Sequence, residues 1–151
     1  MKAAFLTLLL IPFLSFGQLS KKDKKNIDKY ALEMCECVNE LMAELHPKTV
    51  EVVVLMAEKG QEGAMKDVEA MLTEMSPEEM QEFLASFTKM EDPDFLARIE
   101  GCDGSENLSP GIKDEIDNAE GNAHSYLMST LGEQEECKVM KSLYDLGQQS
   151  Q

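Results

Sequence analysis

Four cysteines carry most of the chemistry that the residue types of this chain allow. Cys35 and Cys37 flank a single glutamate, while Cys102 and Cys137 lie far downstream. Thiolates two residues apart can ligate a soft metal such as Cu(I), the more so beside some of the chain's 11 methionines. They can also exchange disulfides, or be consumed in structural bridges. Which of these applies is set by redox compartment. The first 17 residues speak to that compartment: one positive residue, Lys2, precedes an almost unbroken apolar run from Ala3 to Phe16, and the small residues Ser15 and Gly17 stand where a signal peptidase reads. Met1–Gly17 is therefore expected to be a secretory signal cleaved before Gln18. The run is shorter than the roughly 20 apolar residues a membrane span needs, and Pro12 interrupts it. No cysteine stands at the cleavage point to take a lipid, so no stable membrane anchor is expected. The short apolar core resembles Gram-negative bacterial signals, which implies a periplasmic or secreted product.

Four cysteines in a small exported chain are read first as two disulfides, with three connectivities open. Helical geometry narrows them. Around Asn26–Leu45 the apolar stripe centres near Ile27, Val38 and Leu45, and at about 100° per residue Cys35 falls roughly 80° to one side and Cys37 roughly 80° to the other. The two side chains diverge too far to bond each other, because a disulfide needs Cβ atoms about 4 Å apart. Cys102 follows Ile99 by three residues and Phe95 by seven, and Cys137 precedes Met140 and Tyr144 by three and seven, so both late cysteines lie on inward faces. The first helix is thus expected to be stapled on both flanks, Cys35 and Cys37 taking Cys102 and Cys137, with Cys37–Cys102 the favoured pairing.

Other candidate chemistry is sparser. A metal site at Cys35 and Cys37 is the alternative to bridging, yet Met65, Met71, Met75, Met80 and Met140 lie on or beside apolar stripes, where methionine fills cores, and no Met-x-x-Met or His-rich tract is present. A thiol-redox role wants Cys-x-x-Cys at a helix start within a βαβ pattern, and this pair is mid-helix. His46 precedes a helix-ending proline and His124 lies near Tyr126, neither with a nucleophile or acid at catalytic spacing, so both read as surface or capping residues. Asp103, Ser105 and Asn107 alternate as in a calcium loop. Leu108 occupies the glycine position, however, and Asp114 replaces the terminal glutamate, so the stretch reads as a solvated turn. Hydrolase motifs are missing from the sequence, and carboxylates are too abundant for any pair to be diagnostic. No enzymatic activity and no cofactor are expected.

The elements that must position these residues are helical. Ile27, Tyr30, Ala31, Met34, Val38, Leu41, Met42 and Leu45 recur at three and four in the first helix, which His46-Pro47 ends. Val50 and Val52–Val54 would suit a strand, but no other segment offers a partner, so a buried helix over 48–59 is expected. Gly60 and Gly63 loosen the chain before Met65, Val68, Leu72 and Met75 resume a helical stripe, either as a separate helix or as one kinked rod. Ser76-Pro77-Glu78-Glu79 is a strong helix start, with Met80, Phe83, Leu84 and Phe87 as the buried face. Asp92-Pro93 opens a short helix with Phe95, Leu96 and Ile99, and Ser109-Pro110 opens one whose stripe runs from Ile112 to Leu127. Gly132 separates that helix from a last one, and Gly147–Gln151 reads as a polar tail. The fold class is all-α: a disulfide-stapled bundle of about five to seven short helices, with no internal repeat.

Removing 17 of 151 residues leaves 134, enough for a single acidic helical domain, 18–151, that buries roughly two-thirds of the surface its unfolded chain exposes. From Gln18 onward 13 Lys and Arg stand against 29 Asp and Glu, a net charge of −16. Lys21, Lys22, Lys24, Lys25 and Lys29 against Asp23 and Asp28 make the start of the first helix +3, which leaves −19 for the rest. Such a field disfavours nucleic acid and anionic lipid and favours cations or basic partners. The chain shares with saposin-like and odorant-binding proteins only the general idea of stapled helices, since their six-cysteine spacing is not met. The expectation is an exported, non-catalytic binding or structural module for a protein partner or a small hydrophobic ligand. The alternative is a periplasmic Cu- or Ca-binding or thiol-redox protein.

Overall fold

The computed structural model describes residues 19–149, so the expected signal Met1–Gly17, Gln18 and residues 150–151 lie outside the described residues. Seven α-helices and two 3-10 turns, without a strand, make up the described residues. Helix α1, Lys21–Met42, starts five residues before its expected boundary because Ser20 and Asp23 form a capping box: Asp23 N donates to Ser20 Oγ (3.1 Å) and Ser20 N to Asp23 Oδ2 (3.2 Å). The lysine-rich stretch is thus the first turns of α1. Ile27, Tyr30, Ala31, Met34, Cys35, Val38, Leu41 and Met42 are its buried stripe.

Helix α2, Pro47–Thr73, contains the four valines, as expected for a helix rather than a strand, and is broken at Gly60 (φ 69°, ψ 168°). The break is a reversal. Val52 and Met71 share one buried cluster with Phe83, yet a straight helix would hold residues 19 apart about 28 Å from each other at about 1.5 Å per residue. Lys59 also pairs with Asp67 (2.7 Å) across the turn. The arms 47–59 and 61–73 therefore fold back on each other. Only a residue without Cβ adopts that backbone cheaply, which is why glycine stands there.

Helix α3, Pro77–Met90, opens on the expected signal: Ser76 N donates to Glu79 Oε2 (2.9 Å) and Glu79 N to Ser76 Oγ (3.2 Å). Met80, Phe83 and Phe87 pack on the two arms of α2, the two phenyl rings edge to face with centroids 4.8 Å apart. Leu84 does not join them and is 56% exposed, because it lies about 100° from Phe83 and only one stripe of α3 is covered. Met65, one residue past buried Ala64, and Leu96, one past buried Phe95, are exposed for the same reason. Helix α4, Pro93–Glu100, holds Phe95 inward, beneath Lys89 and Arg98 (5.6 and 5.8 Å from the ring centroid). Both cations also bind Glu44 at the end of α1. Hydrogen bonds from Arg98 first and then Lys89 hold the Glu44 carboxyl at about 2, well below its ordinary 4.5.

The stripe Ile112–Leu127 is two helices rather than one. Helix α5, Pro110–Asp117, and helix α6, Gly121–Glu133, are separated by Ala119 at φ 54° and Gly121 at φ 77°. The Glu115 carboxylate then reaches across the corner to accept from Ala123 N (2.8 Å), serving the open amides of α6. An added Cβ at Gly121 would collide with that carboxylate. Helix α6 runs through Gly132, and helix α7, Lys138–Gln149, extends through the first residues of the expected polar tail. In this arrangement α1 is the centre: its N-terminal half packs with Ala123, Leu127 and Leu131 of α6, and its C-terminal half with Phe95 of α4 and Val139 and Leu143 of α7. None of the described helices is long and apolar enough to cross a membrane.

Candidate functional site

The cysteines leave α1 in opposite directions and meet different partners. Cys35 is bonded to Cys137 (Cα–Cα 5.0 Å) and Cys37 to Cys102 (Cα–Cα 5.7 Å): the angular spacing on α1 excluded a bond between Cys35 and Cys37 and left the order open, and the order found is the favoured one. The first bridge is wholly enclosed, both residues being 0% exposed, whereas Cys37 is only partly buried. All four sulfurs are bonded to sulfur, so none is a thiolate able to ligate a metal or attack a disulfide. Two intramolecular bridges suit an oxidising, extracellular compartment.

Each remaining candidate is occupied locally. His46 caps α2: its Nδ1 accepts from Lys48 N (3.3 Å), and its backbone N–H donates to buried Ser86 Oγ on α3 (2.8 Å). His124 Nε2 lies 2.6 Å from the Tyr144 hydroxyl, tying α6 to α7. In the loop that resembles a calcium site, Lys113 supplies the positive charge. Its Nζ donates to Ser105 Oγ (2.7 Å) and lies 3.6 Å from Asp103 and 3.9 Å from Asp117. Hydrogen bonds from Ser105, with Lys113 behind them, hold the Asp103 carboxyl below the usual range. Next to this loop, burial, then the charges of Asp103 and Asp117, push the Tyr30 phenol up to about 12. No group of three or more His, Cys, Asp or Glu is placed to hold a metal among the described residues.

The concave features that the spacing of residues did not indicate are surface clefts. One, of about 410 Å³, lies between α2, α6 and α7; its wall is mixed, Ala57 and Leu131 beside charged side chains, with Lys138 paired to Glu58 (2.9 Å) and Lys141 to Asp145. Another, of about 440 Å³, lies where the end of α1, the start of α2 and the start of α7 meet. Met42, Ala43, Leu45, Pro47, Val50 and Val139 line it, with Asn39 as its single polar wall residue. Asn39 is fixed there by donating from Nδ2 to the Glu136 carbonyl (2.7 Å). The sequence held one clue to this groove: the apolar stripe of α1 reaches the corner at His46-Pro47, where Val50 follows on the next helix. Where α7 would lie was not legible from spacing. Compared with known protein families, with curated proteins and with solved structures, the chain matches none.

Proposed function

We propose that this protein is an exported, non-catalytic module that works by binding a protein partner in the periplasm or outside the cell. The observation that carries the reading is how the interior is used. The volume inside the bundle is taken by side chains such as Ile27, Ala31, Val38, Leu131 and the Cys35–Cys137 bridge, all 2% exposed or less, and the concave features described lie at the surface. A carrier of small hydrophobic molecules buries 70–90% of its ligand in an enclosed pocket, and surface clefts suit part of a larger partner instead. The titratable and sulfur-bearing groups support the same view: the cysteines are bridged, and His46, His124 and Asp103 each serve a local structural contact. The net charge of −16 from Gln18 onward directs the choice of partner toward basic surfaces.

Crosslinking in the intact producing cell, followed by purification under non-reducing conditions and mass spectrometry, tests the reading. The expected result is one protein recovered in stoichiometric amount. Recovery of the chain with a stoichiometric metal or apolar small molecule, and no protein, would refute it.

A further inference from the structure

We infer that the groove between α1, α2 and α7 receives a cationic amphipathic segment of the partner, an apolar side chain entering the groove and Lys or Arg residues lying on its acidic rim. The inference deepens the proposed function and rests on it. Three observations carry it. The groove wall is apolar but for Asn39, and its floor is formed by Met42 and Leu45, 3% and 5% exposed, so an entering aliphatic or aromatic side chain meets a preformed surface. The groove is open along one side, where Ala43 and Pro47 are exposed, so it can cover one face of a protein segment but cannot enclose a free small molecule. Its rim is negative. Glu36, Glu40 and Ala43 follow one another at four and three residues along α1 and so share a face with Asn39, and Glu136 is held beside Asn39 by the hydrogen bond to its carbonyl.

All three glutamates are exposed, and none is ion-paired among the described residues. Of the cations around it, Lys89 and Arg98 are engaged on Glu44 and Lys138 on Glu58, while Lys48, next to Pro47, acts on Glu79 of α3. An apolar groove edged by unpaired carboxylates complements a segment that presents an apolar anchor between positive charges, the helix-in-groove mode of recognition.

The test uses the oxidised full chain and three fluorescent probes: a Leu/Lys amphipathic peptide, a Leu/Glu peptide of the same apolar pattern, and an apolar dye. The Leu/Lys peptide is expected to bind and the other two are not. Ala43→Lys places a charged side chain over the groove from an exposed helix end, where lysine is tolerated, and should weaken Leu/Lys binding about tenfold or more. Glu40→Lys should weaken it less, with an effect that fades as salt rises. Glu82→Lys, the same charge change on exposed α3, should leave affinity within about twofold, and thermal melts of all variants report that the fold is kept. Equal weakening by Glu82→Lys and Ala43→Lys would mean that the general acidic field binds, and would overturn the inference. So would failure of the Leu/Lys peptide to bind, or equal binding of either control probe. A crosslinked native partner that the Leu/Lys peptide does not displace would remove the groove while leaving the proposed function standing; absence of any partner would remove both.

Discussion

Tyr30 joins the chain's chemistry to its stability through one proton. Its phenol is held protonated up to about 12, against an ordinary 10, by burial and then by Asp103 and Asp117. Between those values the folded chain keeps a proton that the unfolded chain releases, so folded protein binds more protons and stability falls as pH rises through the interval. Tyr30→Phe should therefore show a shallower alkaline loss of stability than the parent in urea melts taken at several pH values. Parallel pH curves would refute that account. Thr49 offers a second test at this scale. It is fully buried and its hydroxyl has no hydrogen-bond partner among the described residues, so Thr49→Val, which keeps the shape and removes the unpaired group, should stabilise by about 1 kcal/mol. A loss of similar size would mean that the hydroxyl is satisfied by water. That Cys35 and Cys37 take separate partners was, by contrast, legible from sequence, because two residues apart on a helix is an angle and the angle forbids their mutual bond; which late cysteine each one takes was not fixed by that angle. The roles of His46 and Asp103 were legible only in outline, since the atoms that engage them, Ser86 and Lys113, come from 40 and 10 residues away.

At the scale of elements, starts were easier to read than stops. Ser-x-x-Glu after a non-helical residue is a local signal with its own hydrogen bonds, and α3 begins where that signal stands. The corner between α5 and α6 was missed because apolar spacing continues unbroken through it. What breaks the helix is a pair of left-handed residues, Ala119 and Gly121, stabilised by the Glu115 side chain, which lies eight residues before the Ala123 amide it binds, and only Asn118 and Gly121 hinted at it in sequence. Gly60 was read as a loosening and is a full reversal. Gly60→Ala meets no neighbour within 4 Å, so its cost is backbone strain alone, about 1–3 kcal/mol. Gly111→Ala, in the first turn of α5 and also in open space, should instead stabilise by about 0.5–1 kcal/mol. Chemical denaturation of the pair checks the opposite signs; a shared sign would mean that the turn at Gly60 is not fixed by its backbone. The staples set a further expectation. They close loops of 102 and 65 residues, for which chain entropy gives nearly equal stabilisation, about 4–5 kcal/mol each. The Cys35–Cys137 bridge is fully enclosed and the other is not, so replacing its two cysteines by alanine leaves unfilled space as well and should cost about 1 kcal/mol more than replacing Cys37 and Cys102. Equal costs in parallel urea melts would assign the whole effect to the unfolded chain.

Across the whole molecule the stabilising features are unevenly spread. Both bridges end on α1, and the two larger buried clusters are built around it. The third cluster holds the arms of α2 against α3 with three buried residues, Val52, Met71 and Phe83, and no bridge. From Gln61 to Met90 seven carboxylates face two lysines, so this part of the chain also repels itself. Fewer buried contacts, no covalent closure and like charge all lower the free energy of opening the unit by itself. Amides of 61–90 should thus exchange through a partial opening, while those of α1 and of the α6 and α7 segments packed on it exchange only with global unfolding. Added salt screens the carboxylates and should slow exchange in 61–90 more than elsewhere. Reducing the two disulfides acts on the other part of the molecule: it should bring α1 down toward the protection of 61–90 rather than lower both together. Hydrogen exchange read by mass spectrometry, with and without reductant, follows the two regions separately. Uniform protection across α1 and α3 in the oxidised chain would show that the three clusters open as one unit, and that the staples on α1 stabilise the acidic arms as strongly as the helices they join.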